Sequence, residues 1–133
     1  MKLGHVAVSV RDLIKSAGFY RRCFGLLPVK KYSYPDKGMR IWLLRKGEIC
    51  LELFELKNSK PLPVYRKTLA SDLHTLGVKH FSLELKDIKS YYDKFKRAKV
   101  GFATDLRVFD NGLKYFFIKD PDGSLIEIME AAK

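Results

Sequence analysis

One spacing recurs through this 133-residue chain and limits its possible folds more than any other feature. His5 and His80 stand 75 positions apart (80 − 5), as do Glu52 and Glu127 (127 − 52) and Asp12 and Asp87 (87 − 12). The surroundings repeat too. Leu3-Gly4-His5-Val6-Ala7-Val8 resembles Val78-Lys79-His80-Phe81-Ser82-Leu83, and the strand-like run Gly47 to Glu55 has the layout of Gly123 to Glu130. One ungapped offset relating three pairs predicts two tandem modules, each with a His near its start and a Glu near its end. Each Glu falls in the middle of an alternating strand. A carboxylate there is costly to bury alone and needs a partner such as a cation.

Local signals fill in the modules. Residues Lys2 to Val10 alternate as a strand. Asp12 is a good N-cap for a helix running to about Phe24, with Leu13, Ala17, Tyr20 and Phe24 at helical spacing and Gly25 as its stop. Strands are expected near Leu27 to Tyr34, Met39 to Leu44 and Ile49 to Leu56, which makes the first module βαβββ over residues 1–57. Residues 58–77 form a connector with Pro61, Pro63 and a short helix carrying Leu69, Leu73 and Leu76. The second module, residues 78–133, repeats the plan. A strand spans Val78 to Leu85, and a helix capped by Asp87 runs to about Lys99. A hairpin of Phe102 to Phe109 with Leu113 to Ile118 turns at Asp110-Asn111-Gly112, and the last strand is Leu125 to Met129. Pro121 and Gly123 in Asp120-Pro121-Asp122-Gly123 set the tight turn into that strand. The fold class is therefore α+β, with the whole chain forming one domain of two modules.

Strand parity sorts the side chains. Val6, Val8 and Val10, Leu51 and Leu53, Phe81, Leu83 and Leu85, and Ile126 and Ile128 lie on faces that helices should cover. His5, Glu52, His80 and Glu127 lie on the other faces, beside Ala7, Ser9, Cys50 and Ser82. Two curved half-sheets set together would aim those four side chains at one space. Glu55 and Glu130 fall on the helix side and read as exposed strand-end residues. Glu84 reads as a solvated strand-end charge, and His74, on no repeat position, as surface.

Composition narrows the function classes. The net charge is +11, from 26 Lys and Arg against 15 Asp and Glu, but the charges are scattered and no nucleic-acid motif is present. The surplus suits an anionic small substrate or a lysine-rich surface. No apolar run reaches the roughly 20 residues of a membrane span. The start, Met1-Lys2-Leu3-Gly4, lacks a signal-peptide layout, so a cytoplasmic setting is expected. Cys23 and Cys50 are too few for a disulfide framework and lack metal-knuckle spacing, so they read as reduced, buried thiols.

Two neutral imidazoles with two ionised carboxylates form a mixed N/O donor set of the kind that takes Zn, Ni, Co, Mn or Fe(II). Four protein ligands on a six-coordinate ion leave two positions for the two oxygens of a bidentate substrate. The ion then acts as a Lewis acid on a developing enolate or alkoxide, and a neighbouring carboxylate can move a proton.

The residues quoted above, together with Phe19-Tyr20, Phe24-Gly25-Leu26 and Asp120-Pro121-Asp122-Gly123, resemble the vicinal oxygen chelate superfamily, which includes glyoxalase I and bleomycin-resistance-like proteins. The resemblance covers nearly the whole chain. It implies paired βαβββ modules forming a U-shaped, mostly antiparallel sheet around one metal, often across a homodimer interface. The ligand order His5, Glu52, His80, Glu127 is similar to that of glyoxalase I. The resemblance therefore implies a lyase or isomerase type of reaction, with Glu127 as the proton-moving base and Glu52 its counterpart. The Arg and Asn that serve glutathione in glyoxalase I are replaced here by Ser9 and Leu56, so the resemblance implies a small substrate, anionic or a thiol adduct, without fixing glutathione as the thiol. Other members supply the alternatives: a methylmalonyl-CoA epimerase-like enzyme, a fosfomycin-modifying or dioxygenase type, or a non-catalytic drug binder. The epimerases typically carry Gln as second ligand and an extra carboxylate on the preceding strand. This chain has Glu52, and Met39 to Arg45 holds no carboxylate.

Overall fold

A computed structural model describes residues 1–132. The chain divides into two compact units, Met1–Pro61 and Leu62–Lys133.

The first unit orders its strands β1-β4-β3-β2, with β1 Val6–Val10, β2 Leu27–Tyr34, β3 Met39–Lys46 and β4 Ile49–Leu56. β1 runs parallel to β4, with Ala7 opposite Glu52, while β3 pairs antiparallel to both β4 and β2. The parallel pair needs a crossover, and the chain between them, α1 (Leu13–Phe24), β2 and β3, supplies it. α1 starts where Asp12 accepts a hydrogen bond from the Lys15 amide. It stops at Gly25, whose φ of 73° is the left-handed conformation glycine adopts without a Cβ penalty. Leu13, Ala17, Tyr20 and Phe24 are buried, together with Val10, Leu44, Leu51 and Leu53. Each large side chain removed from water in this way contributes about 1.5–3 kcal/mol.

The second unit repeats the order. β5 (Phe81–Glu84) runs parallel to β9 (Leu125–Glu130), and β8 (Lys114–Lys119) pairs antiparallel to β9. α3 (Ile88–Arg97) buries Ile88 and Phe95 with Phe116, Ile118, Ile126 and Ile128. Asp87 caps it through the Ser90 amide, the counterpart of Asp12 and Lys15. The short helix expected in the connector is α2 (Leu69–Asp72), capped by Thr68.

Three expectations shift. The opening strands are shorter than alternation suggested: β1 begins at Val6 and β5 at Phe81, so His5 and His80 sit one residue before their strands. The strand expected over Phe102 to Phe109 is two fragments, β6 (Gly101–Phe102) and β7 (Arg107–Val108), both paired with β8. Between them the chain bulges. The amides of Ala103 and Thr104 both donate to the Phe117 carbonyl, and the Thr104 hydroxyl accepts from the Phe117 amide. Side-chain bonding to the backbone has displaced the ladder there. Lastly, Glu55 and Glu130 are not exposed strand-end charges. Glu55 accepts the Leu13 amide at 2.8 Å and Glu130 the Ile88 amide at 2.7 Å, 42 residues away in each case. They satisfy orphan donors in the first turns of α1 and α3.

Candidate metal centre

Each unit brings one of the two expected His–Glu pairs together. In the first, β1 and β4 are adjacent and in register, and His5 Nε2 stands 3.3 Å from Glu52 Oε2. In the second, β5 lies beside β9, with Ser82 opposite Glu127, and His80 Nε2 stands 3.5 Å from Glu127 Oε2. The carboxylates are largely sheltered, with side chains 17% and 18% exposed, while the imidazoles are more open at 48% and 29%. Among the described residues no group of three or more His, Cys, Asp or Glu stands together. The structure thus places one matching His–Glu pair within each unit.

The two pairs have different supports. Ala7 and Ser9, on the Glu52 side of β1, are small and exposed. In the second unit Phe117 lies opposite Glu127, and its ring meets the His80 imidazole edge-on at a centroid distance of 4.9 Å. Tyr115 packs against Phe117 and stacks on Phe109 at 4.5 Å, which extends an aromatic wall from His80 to the β7–β8 hairpin. His80 Nδ1 is buried without a hydrogen-bond partner. The turn that launches β9 is tied by Asp120, whose carboxylate accepts the amides of Asp122 at 2.9 Å and Ser124 at 2.8 Å. Gly123, at φ 94°, takes the left-handed position there.

The pair distances test the donor set directly. Two ligand atoms each about 2.1 Å from one ion, at angles between 90° and tetrahedral, lie about 3.0–3.4 Å apart. The 3.3 Å pair falls within that range and the 3.5 Å pair about 0.1 Å above it. Imidazole nitrogen and carboxylate oxygen are the donor types a borderline divalent ion takes. The residues present therefore fit such an ion.

His74 and Glu84 are exposed, as expected for surface residues. Ser9 is exposed, and Leu56, at the end of β4, is 40% exposed. Beyond Glu52 on the same strand, Arg11, Arg40 and Lys57 line an open cleft of about 560 Å³ with Ser33, Asn58 and Ser59. Its one carboxylate, Glu55, is engaged by Arg40 Nε at 2.8 Å and by the α1 N-terminus. The sequence does not reveal this cleft, because its three basic residues come from three separate segments with no shared motif. No helix among the described residues is long and apolar enough to cross a membrane.

Comparison with known proteins agrees with this fold. Human mitochondrial methylmalonyl-CoA epimerase is 26% identical over 98% of this chain and 74% of its own length. A putative lactoylglutathione lyase from Brassica oleracea is 30% identical over 95% of this chain, which spans 43% of that protein. Among solved structures, a glyoxalase family protein from Enterococcus faecalis superposes with a TM-score of 0.82 at 25% identity, covering 97% of both chains. The model of the Glyoxalase/Bleomycin resistance protein/Dioxygenase superfamily matches residues 2–128, and the chain belongs to that superfamily.

Proposed function

We propose that the two His–Glu pairs serve one divalent ion and that the protein is a metal-dependent enzyme moving a proton next to a carbonyl. The observation that carries this reading is the duplication. His5–Glu52 and His80–Glu127 occupy equivalent positions in two equivalent units, at nearly equal and ligand-like distances. A bound ion would supply Lewis-acid polarisation of two vicinal substrate oxygens. In this reading His5 and His80 donate through Nε2, and Glu52 and Glu127 through Oε2. Glu127 takes the proton from the carbon beside the polarised carbonyl and delivers it to the neighbouring carbon, as a glyoxalase I-like isomerisation requires. The aromatic wall of Phe117, Tyr115 and Phe109 excludes water from one side of the substrate. A cytoplasmic homodimer belongs to the same proposal, as does the pairing of both modules in one functional domain.

The second reading, an epimerase acting on an acyl thioester, is supported by the basic cleft and by the similarity to methylmalonyl-CoA epimerases. Leu56 lies four residues beyond Glu52, about 13 Å along the strand at 3.3 Å per residue. Arg11, Arg40 and Lys57 around it suit the phosphates of a thioester's carrier. Epimerisation removes a proton from one face and returns one to the other, so both carboxylates would be needed.

Turnover separates the readings. Methylglyoxal offered with several thiols should be isomerised if the first holds, and methylmalonyl-CoA should exchange its α-proton with solvent deuterium if the second holds. Activity on neither class would remove the proton-transfer proposal.

A further inference from the structure

We propose that Asp72, in the connector helix, is a positioning residue for His80. This rests on the reading of His80 as a metal ligand. His80 precedes β5, so the strand ladder does not fix it, and its buried Nδ1 has no hydrogen bond to orient the ring. The two residues before it, however, are held from both sides. Arg66 Nε bonds to Asp72 Oδ1 at 2.9 Å while the same guanidinium donates to the Val78 carbonyl at 2.9 Å. Lys79 Nζ reaches Asp72 Oδ1 at 3.4 Å, the Asp72 carbonyl at 2.7 Å and the Thr75 carbonyl.

Asp72 is the hub of this clamp. Its side chain is 2% exposed, and it is one of only three buried polar or charged residues among those described. A carboxylate so buried persists because two cations and a directed hydrogen bond offset its desolvation. The Arg66 hydrogen bond, with the charges of Arg66 and Lys79, holds its carboxyl below the ordinary range despite burial. Removing the carboxylate takes from Arg66 its anchor beside the Val78 carbonyl and from Lys79 its charge partner, leaving Lys79 on the Asp72 and Thr75 carbonyls, and so loosens the backbone at Val78. The His80 ring would then be steadied only from the β8–β9 side, by Phe117 and Glu127.

Groups that orient metal ligands at one remove typically change affinity by about 10–100-fold. We expect Asp72→Asn to weaken Co(II) binding about 10-fold or more and to shift the visible absorption of the bound cobalt. In the metal-free protein it should also broaden the His80 imidazole resonances while leaving those of His5 unchanged. Arg66→Lys keeps the charge but loses the two separate donor nitrogens that hold Asp72 and the Val78 carbonyl. It should show the same changes in smaller degree, and it decides the matter if the Asp72 variant does not fold. His80→Ala provides the reference. If it keeps full Co(II) affinity, the ligand reading itself is wrong. If it loses cobalt while Asp72→Asn and Arg66→Lys bind and absorb like the parent protein, with unchanged His80 resonances, Asp72 merely stabilises the connector and the proposal is overturned.

Discussion

Glu55 and Glu130 show what a single side chain does in this fold. Each lies at or near the end of its unit's last strand, accepts the first amide of the module's helix and pairs with a cation on the neighbouring strand: Arg40 for Glu55, and Lys114 at 3.0 Å for Glu130. Replacing Glu55 by Gln keeps the shape but loses a charged acceptor at a helix start. It should cost about 1–2 kcal/mol in urea denaturation, with little change in metal binding. Acid should act on the same contacts in the second unit. The Ile88 amide and then Lys114 hold the Glu130 carboxyl below its ordinary value, and Asp72 is lowered as well. A depressed carboxyl contributes stability that is present above its unfolded pKa, near 4, and lost as pH falls through the folded value. Urea midpoints should therefore fall as pH drops below about 4, and an Asp72→Asn, Glu130→Gln double variant should fall less steeply. The 75-residue offset already linked Glu55 to Glu130, but strand parity alone read them as solvated. The helix start that each one meets is 42 residues away, and no local pattern shows it.

At the scale of elements, the helices and most strands were legible because their signals are local. Asp12, Gly25 and the apolar spacing between them define α1, and the Asn111-Gly112 turn does form, with Gly112 at φ 82° and its amide bonded to the Phe109 carbonyl. Gly112→Ala should cost about 1 kcal/mol in thermal unfolding, since a Cβ is unfavourable at that φ. The bulge between β6 and β7 was not legible, because Thr104 binding back to Phe117 competes with an alternating pattern that otherwise reads as strand. The same limit hid the connector clamp. Arg66, Asp72 and Lys79 look like ordinary surface charges until α2 folds and brings them within hydrogen-bond distance.

For the whole molecule, the repeat predicted two equivalent units, and the structure has them, each with a parallel first and last strand and a His–Glu pair at their junction. An ion bound only by folded protein stabilises it by mass action, about 2.7 kcal/mol at 100 times its Kd. Added Zn(II) or Co(II) should raise the melting temperature of the parent protein, and Glu52→Gln or Glu127→Gln should abolish most of that rise. Metal stoichiometry in the parent, His5→Ala and His80→Ala proteins tests the central claim most directly. One divalent ion per chain in the parent, with either substitution removing most of it, is the predicted result. Two ions per chain, with each substitution removing one and sparing the other, would contradict it, as would no binding at all.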